Sequence, residues 1–327
     1  MNQERYSRQI QVRQFGATGQ ERLHQSRVVL IGAGGLGCVV APLLAGAGVG
    51  HITLVDHDDV ALSNLHRQTV YHEAHVGHPK AKHLAAHISA LNSDVVVSAH
   101  VGRCHVDNVN ELIDQADVVI DAADNFAVSY LLSDACAQHQ KLLVAASVNK
   151  TYGNVGVFCG PSQYKLPSFR SVFSRLPDTP VSCDVVGVTG PSVAAIGAVQ
   201  AQEVLKCLLG NAPKPELWQF ELWDYAVHSI DVSESSNSQH EPIAFVSPAQ
   251  ISNEWVIDVR EKEEVQVAPL PFADVLNYPL SSLQSTTVID RNKPWVFACK
   301  SGQRALIAAQ RLSPIGHPCK VLFPGDE

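Results

Sequence analysis

Several side chains in this sequence are spaced for phosphate chemistry. Gly32-Ala33-Gly34-Gly35-Leu36-Gly37 satisfies G-x-G-x-x-G, between the apolar run Arg27 to Gly32 and the helical pattern LGCVVAPLLAGAGV. Glycine lets backbone come close to a phosphate, and the helix start supplies free N–H donors and the positive end of a dipole. Asp56 ends the next apolar run nineteen positions after Gly37, where an acid commonly binds ribose hydroxyls. Together these residues point to a nucleotide, and by themselves they fit a nicotinamide dinucleotide as the commoner ligand.

The continuation, DHDDVALSNLHRQTVYHEAHVGHPKAKHLAAHI, places Asn64, Arg67, Lys80 and Lys82 just beyond that acid. Hydride transfer has no need of such cations. In-line attack on an α-phosphate does, because negative charge grows on the phosphoryl oxygens and on the departing pyrophosphate. Asp121 and Asp124, in VVIDAADN, close a later strand at the edge where such sheets bind ligands, and a carboxylate there suits Mg²⁺. His78, His83 and His87 include an i, i+4 pair on a helical stretch but bring no third ligand type, so they read as a solvated face.

Eight cysteines lie far apart with no paired spacing, which suits a reducing compartment better than a disulfide framework. Cys299 differs from the rest. It follows a buried-strand pattern and opens a six-residue loop, Cys299-Lys300-Ser301-Gly302-Gln303-Arg304, that leads into the amphipathic run QRALIAAQRL. Backbone N–H groups and Arg304 are expected around its sulfur, lowering its pKa and holding a persulfide. Cys183, on a loop ahead of a glycine-rich helix start, is a second candidate thiolate. The other six, at 38, 104, 136, 159, 207 and 319, read as packing residues.

The elements that position these groups alternate. RVVLIG, HITLVD and DVVID are short apolar runs with the form of buried parallel strands. With the helix between the first two they make a βαβ unit, the opening of an α/β, doubly wound, Rossmann-like and mostly parallel sheet. Further strands are expected at 142–146 and near 153–158, and a helix over 192–209. The serine-rich segment Asp231 to Pro242 reads as a linker. WVIDVR and WVFACKSG beyond it predict a second, smaller α/β unit, so the division is 1–230, a linker at 231–244, and 245–327. The net charge of −8 opposes a phosphate backbone and argues against nucleic acid. A polar start and the absence of a long apolar stretch predict a cytoplasmic protein that does not enter membranes.

RYSRQI, GAGGLG, LVDHDDVALSNLHRQ, VGHPKA and DAADN, in this order over residues 4 to 225, resemble the signature series of the MoeB/ThiF adenylyltransferases, relatives of ubiquitin-activating enzymes. The resemblance implies that ATP and Mg²⁺ activate the C-terminal glycine of a small ubiquitin-like sulfur-carrier protein, leaving an acyl-adenylate and pyrophosphate. By this resemblance Gly32, Gly34, Gly35 and Gly37 cradle the nucleotide with Asp56 and Asp58. Asn64, Arg67 and Lys80 meet its phosphates, and Asp124, beside Asn125, holds magnesium. Arg8 resembles the arginine that homodimers of this family insert into the neighbouring subunit's site, and Cys183 the cysteine that bonds covalently to the carrier. Residues 245–327 resemble a rhodanese sulfurtransferase domain. There Cys299 would accept sulfur from a persulfide donor such as a cysteine desulfurase, and Asp258 and Arg260 would be structural.

One family feature is missing. Relatives carry two C-x-x-C pairs for a structural zinc; Ser168-Phe169-Arg170-Ser171 stands where the first belongs, and no cysteine stands near the second, so zinc is expected to be absent. Three rival readings remain from the residues: a NAD-linked oxidoreductase, a non-catalytic carrier-binding module, and an adenylyltransferase acting on another carboxylate, of a peptide or a modified tRNA base. Whether the product serves molybdopterin or thiamine biosynthesis is a matter of surface recognition, outside the nucleotide motifs.

Overall fold

The computed structural model describes residues 3–176, 187–236, 242–284, 286–287, 289–312, 316–323 and 325. Two sheets organise the chain. In the first, β1 (Arg27–Ile31), β2 (His51–Asp56), β3 (Val96–Val101), β4 (Val118–Asp121) and β5 (Leu142–Asn149) run parallel. They continue into antiparallel β6 (Tyr152–Cys159), β7 (Glu216–Glu221) and β8 (Ala226–Asp231). The order is β3-β2-β1-β4-β5-β6-β7-β8. The second sheet is wholly parallel: β9 (Ala244–Val246), β10 (Trp255–Asp258), β11 (Val275–Asn277), β12 (Trp295–Ala298) and β13 (Cys319–Leu322), ordered β11-β10-β12-β13-β9.

Because β1 is flanked by β2 on one side and β4 on the other, the winding reverses there and a crevice opens beyond the carboxyl ends of both strands. β4 is buried at all four positions, as its unbroken apolar run requires of a strand covered on both faces. Leu30, Leu44, Ile52, Leu54 and Leu84 fill one side of the sheet. On the other side a single apolar cluster passes from Tyr130, Leu132 and Phe158 to Trp295, Phe297 and Leu306, so both sheets share a core.

The stretch Asp231 to Pro242, expected to be a plain linker, is partly built. Asp231 belongs to β8, Val232 is buried and donates its N–H to Pro215, and residues 233–236 form a 3₁₀ turn. The one apolar side chain in a polar run anchors it, a contact that periodicity does not reveal. The segment 168–173, which includes the place where the resemblance expects the first zinc-binding pair, is held by a cap, an ion pair and ring packing. Ser168 caps the short helix Phe169–Val172, accepting from the Ser171 N–H at 3.1 Å. Arg170 Nε donates to Asp134 at 2.8 Å, with its guanidinium over the Tyr130 ring at 4.4 Å and the Phe245 ring at 5.2 Å. Phe126, Phe158, Phe169 and Phe173 pack around this point.

Candidate active site

The glycine turn sits at the switch point. Gly32 has φ +102°, and a Cβ there would lie 2.6 Å from the Ala122 carbonyl oxygen; a Cβ at Gly37 would lie 2.1 Å from the Gly32 oxygen. Both positions are closed to any larger residue. At Gly34 the nearest atom to such a Cβ is Gln68 Nε2 at 3.6 Å, so that glycine leaves open room above the turn. The helix Gly35–Ala47 begins here with no side-chain cap, and its first N–H groups face the crevice.

Asp56, at the end of β2, is pinned by backbone. Its Oδ2 accepts from the Ala33 N–H at 2.6 Å and its Oδ1 from the Asp58 N–H at 2.7 Å. Burial raises its pKa, against the pull of those amides and of Lys80. Each oxygen keeps a lone pair for a further donor. Lys80 heads the helix Lys80–Leu91 and is only 5% exposed, yet it carries a charge to the cavity with Nζ 2.9 Å from Asp58 Oδ2. Burial by itself would raise the Asp58 carboxyl, but the hydrogen bond and charge of Lys80, with His57 and Arg103, hold it below the ordinary carboxylate value. The Lys80 N–H also donates to the Asp58 carbonyl at 2.9 Å, so backbone and side chain fix the same pair.

These groups line one cavity of about 1330 Å³ with Asn64, Arg67, Asp124 and Asn125. That exceeds the roughly 300–1,000 Å³ of an ordinary ligand pocket, leaving space for a second reactant beside a nucleotide. Arg67 Nη1 lies 2.9 Å from His66 Nε2 and 3.3 Å from the Ser63 carbonyl. Asn64 is buried in the preceding 3₁₀ turn. Asn125 is held by protein: its Oδ1 caps the helix Phe126–Gln138 through the Ala127 N–H at 2.9 Å, and its Nδ2 donates to the Ser301 carbonyl at 2.8 Å. Lys82, grouped in the sequence with the other cations, is exposed and does not line the cavity. Arg8, on the helix Gln3–Ile10, is exposed and also stands outside the lining. Cys183 lies outside the described residues.

Two buried residues went unnoticed in the sequence. Gln68 is 3% exposed, lines the cavity and has an Oε1 with no protein partner, an acceptor available to a bound ligand. Tyr71 donates to the Ala33 carbonyl at 2.7 Å and approaches that of Lys80 at 3.3 Å, tying the glycine turn to the lysine. Both follow Arg67 within four positions; Gln68 closes the LVDHDDVALSNLHRQ motif, whose charged residues stand out instead, and Tyr71 lies just beyond it.

Asp121 and Asp124 separate in role. Asp121 is 2% exposed and accepts from the Ala123 N–H at 3.0 Å, so it braces the strand end, whereas Asp124 is exposed at the cavity. Complete burial pushes the Asp121 carboxyl up to about 6, despite the hydroxyl of Ser129. A folded-state pKa above the unfolded one gives stability that is fully present below about pH 4 and lost as pH rises through about 6. Asp121→Asn is therefore expected to gain on the wild type between pH 4 and 7 by about 3 kcal/mol, at about 1.4 kcal/mol for each pH unit spanned. Urea midpoints at the two pH values measure it, and parallel profiles would mean that burial costs this carboxylate nothing.

The histidines form a surface group. His83 stacks on His75 with ring centroids 3.9 Å apart, and His78 meets His83 edge-on at 5.9 Å. Among the described residues, the one set of three metal-ligating side chains whose ligand atoms converge is Asp56, His57 and Asp58, inside the cavity.

In the second sheet Cys299 follows β12 and is 4% exposed, with the Ala305 N–H 3.4 Å from its sulfur. The expected six-residue loop is shorter, because Gln303 already begins the helix Gln303–Leu312. Arg304 does not give its charge to the sulfur alone: it forms a two-pronged pair with Glu264 at 2.6 and 2.7 Å. Glu264 arrives on the helix Lys262–Val267, whose proximity to the loop is a tertiary fact. Asp258, wholly buried, and Arg260 pair at 2.6 Å beneath the same loop.

The ThiF family model matches residues 6–241. The chain belongs to the ThiF family. This ThiF-family chain is 42% identical over 209 residues to the adenylyltransferase and sulfurtransferase MOCS3 of Culex quinquefasciatus, a match covering 63% of the chain and 47% of the relative. It is 30% identical over 359 residues to MOCS3 of Drosophila ananassae, covering 94% of the chain and 78% of the relative. The chain thus spans about half the length of the mosquito relatives it matches. Among solved structures, E. coli MccB with MccA-N7isoASN superposes with a TM-score of 0.61 at 22% identity, covering 70% of this chain and 72% of that one, a likeness of fold. No helix among the described residues is long and apolar enough to cross a membrane.

Proposed function

We propose that this chain adenylates the C-terminal carboxylate of a small ubiquitin-like sulfur-carrier protein and then passes sulfur to it from Cys299. The observation that carries the reading is the convergence of the glycine turn, Asp56, Arg67 and Lys80 on one cavity whose wall includes Lys300, Ser301 and Arg304, which follow Cys299, while Cys299 itself is buried behind that wall. The curated relatives named for both chemistries support it. The nicotinamide reading loses ground because the buried cation Lys80 has no task in hydride transfer.

The residues suit ATP: an open turn at Gly34, a ribose acceptor at Asp56, and cations at Lys80 and Arg67. Asp124, exposed at the rim, would hold Mg²⁺, which screens phosphate charge when bound. A carrier carboxylate oxygen attacks the α-phosphorus, the bond to the bridging oxygen breaks, and pyrophosphate leaves with its charge balanced by Lys80 and Arg67. The terminal sulfur of a Cys299 persulfide then attacks the acyl carbon, loses its proton and expels AMP. The resulting acyl disulfide is cleaved by an exogenous dithiol, which is oxidised as the thiocarboxylate departs. A longer route in this reading passes through Cys183, whose thiolate expels AMP to form a thioester with the carrier and is displaced in turn by the persulfide; a cysteine desulfurase type of donor reloads Cys299, and Arg8 enters the site from a second copy in a homodimer. Molybdopterin or thiamine biosynthesis would consume the thiocarboxylate, and the cytoplasm suits its free thiols.

Zinc does not fit at 168–171. Ser168 is committed to its cap and the Arg170 guanidinium occupies the neighbourhood, so the segment offers a cation where a metal needs thiolates. The central test weighs candidate carriers by mass spectrometry after incubation with ATP, persulfide donor and dithiol. Cys299→Ser is expected to keep carrier-dependent exchange of pyrophosphate into ATP while forming no thiocarboxylate. Full sulfur transfer by that variant would remove Cys299 from the reaction.

A further inference from the structure

The second sheet does not hang free of the nucleotide cavity; it forms part of its wall. Lys300, Ser301 and Arg304 line the cavity together with Asp124 and Asn125. The seam is specific at both ends. At the loop, Asn125 Nδ2 donates to the Ser301 carbonyl at 2.8 Å, and Gly302, with φ +78°, lies so close that a Cβ there would be 3.2 Å from Ala127 Cβ. At the back of the following helix, Gln310 Oε1 accepts the Leu176 N–H at 3.0 Å and its Nε2 donates to the Ser174 carbonyl at 3.3 Å. One amide side chain thus joins two modules by two hydrogen bonds to main chain.

We infer that this docked pose is the working pose for sulfur delivery, with Gln310 as a positioning residue that holds the Cys299 loop against the cavity of its own chain. The inference rests on the proposed adenylation and sulfur transfer and adds that the transfer occurs in cis. Docking makes the meeting of persulfide and acyl-adenylate an event within one chain, between a cavity and the loop that walls it. Loss of the seam leaves only the covalent connection between β8 and β9, and the persulfide then meets the acyl-adenylate less often. Gln310 touches neither the nucleotide residues nor the sulfur, so its loss leaves the first chemistry intact.

Two experiments on the full chain test this. Gln310→Ala is expected to exchange pyrophosphate into ATP at the wild-type rate and to transfer sulfur from thiosulfate to cyanide at the wild-type rate. Its single-turnover formation of carrier thiocarboxylate should be slower by about 10-fold. Equal thiocarboxylate rates in variant and wild type would overturn the inference, and a fall in the cyanide assay as well would overturn the positioning role in favour of a folding defect. In the second experiment, Lys80→Ala chains, which keep the sulfur loop, are mixed and allowed to exchange subunits with Cys299→Ser chains, which keep the nucleotide cavity. No thiocarboxylate should form, whereas restored product means delivery in trans and sinks the proposal. Failure of the underlying reading looks different: the wild-type chain itself would then give no exchange or no thiocarboxylate.

Discussion

Lys80→Ala is expected to lower carrier-dependent pyrophosphate exchange by about 10²–10³-fold, the usual loss when one preorganised group facing transition-state charge is removed. Lys80 is nearly enclosed, with its ammonium directed to Asp58 at 2.9 Å, so in the proposed reaction it would meet the phosphates without first reordering a long exposed chain. Its competing partner is half-exposed, and such pairs contribute little to folding. Melting temperature should therefore change far less than exchange. Asp58→Asn separates the two roles: it frees the lysine while keeping a hydrogen-bonding group beside it. If Lys80 serves only to neutralise Asp58, the double replacement will exchange as well as Asp58→Asn alone, and its catalytic assignment falls.

The second large effect concerns the smaller sheet. Asp258→Ala is expected to remove about 3–5 kcal/mol, the cost of leaving one member of a buried ion pair without its partner. Asp258 is wholly buried, receives Arg260 Nε and Nη2 at 2.6–3.1 Å, and Arg260 in turn reaches the Ala268 carbonyl at 2.8 Å. Asn277 spans the same corner, donating to the carbonyls of Asp258 and Arg260 at 2.9 Å each. A module of this size holds only a few kcal/mol in reserve, so a loss of that order unfolds much of it. Urea unfolding followed by the fluorescence of Trp255 and Trp295 should register an early transition, with pyrophosphate exchange persisting through it. A single unshifted transition would mean that the shared apolar cluster, with Tyr130 and Phe158 on one side and Trp295 and Phe297 on the other, carries the small sheet without its ion pair.

Short, largely apolar runs were the legible part of the fold. RVVLIG and HITLVD became β1 and β2 within a residue, because central strands of a sheet covered on both faces are mostly apolar. QRALIAAQRL became the helix Gln303–Leu312 because its apolar stripe recurs at helical spacing. β3 was not seen: it is an edge strand exposed at most positions, so burial imposes no pattern on VVSAHV. β9 is three residues long and pairs with β13, far along the chain, and so leaves no local period to read.

The site divides the same way. Gly32, Gly34, Gly35, Asp56, Asn64, Arg67, Lys80 and Asp124 line one cavity: spacing along the βαβ unit places the glycines and Asp56, whereas the others stood out by their charge or by the family resemblance. What only the tertiary structure decided depends on contacts between segments distant in sequence. Glu264 claims Arg304, Asn125 turns from ligand candidate to a bridge to Ser301, Lys82 points away while Lys80 points in, and Gln310 fastens one sheet to the other. Sequence determined the chemistry that local chain geometry can present. The fold decided which charges are already paired, and how near the sulfur loop stands to the nucleotide cavity, because pairing and proximity are properties of packing between elements.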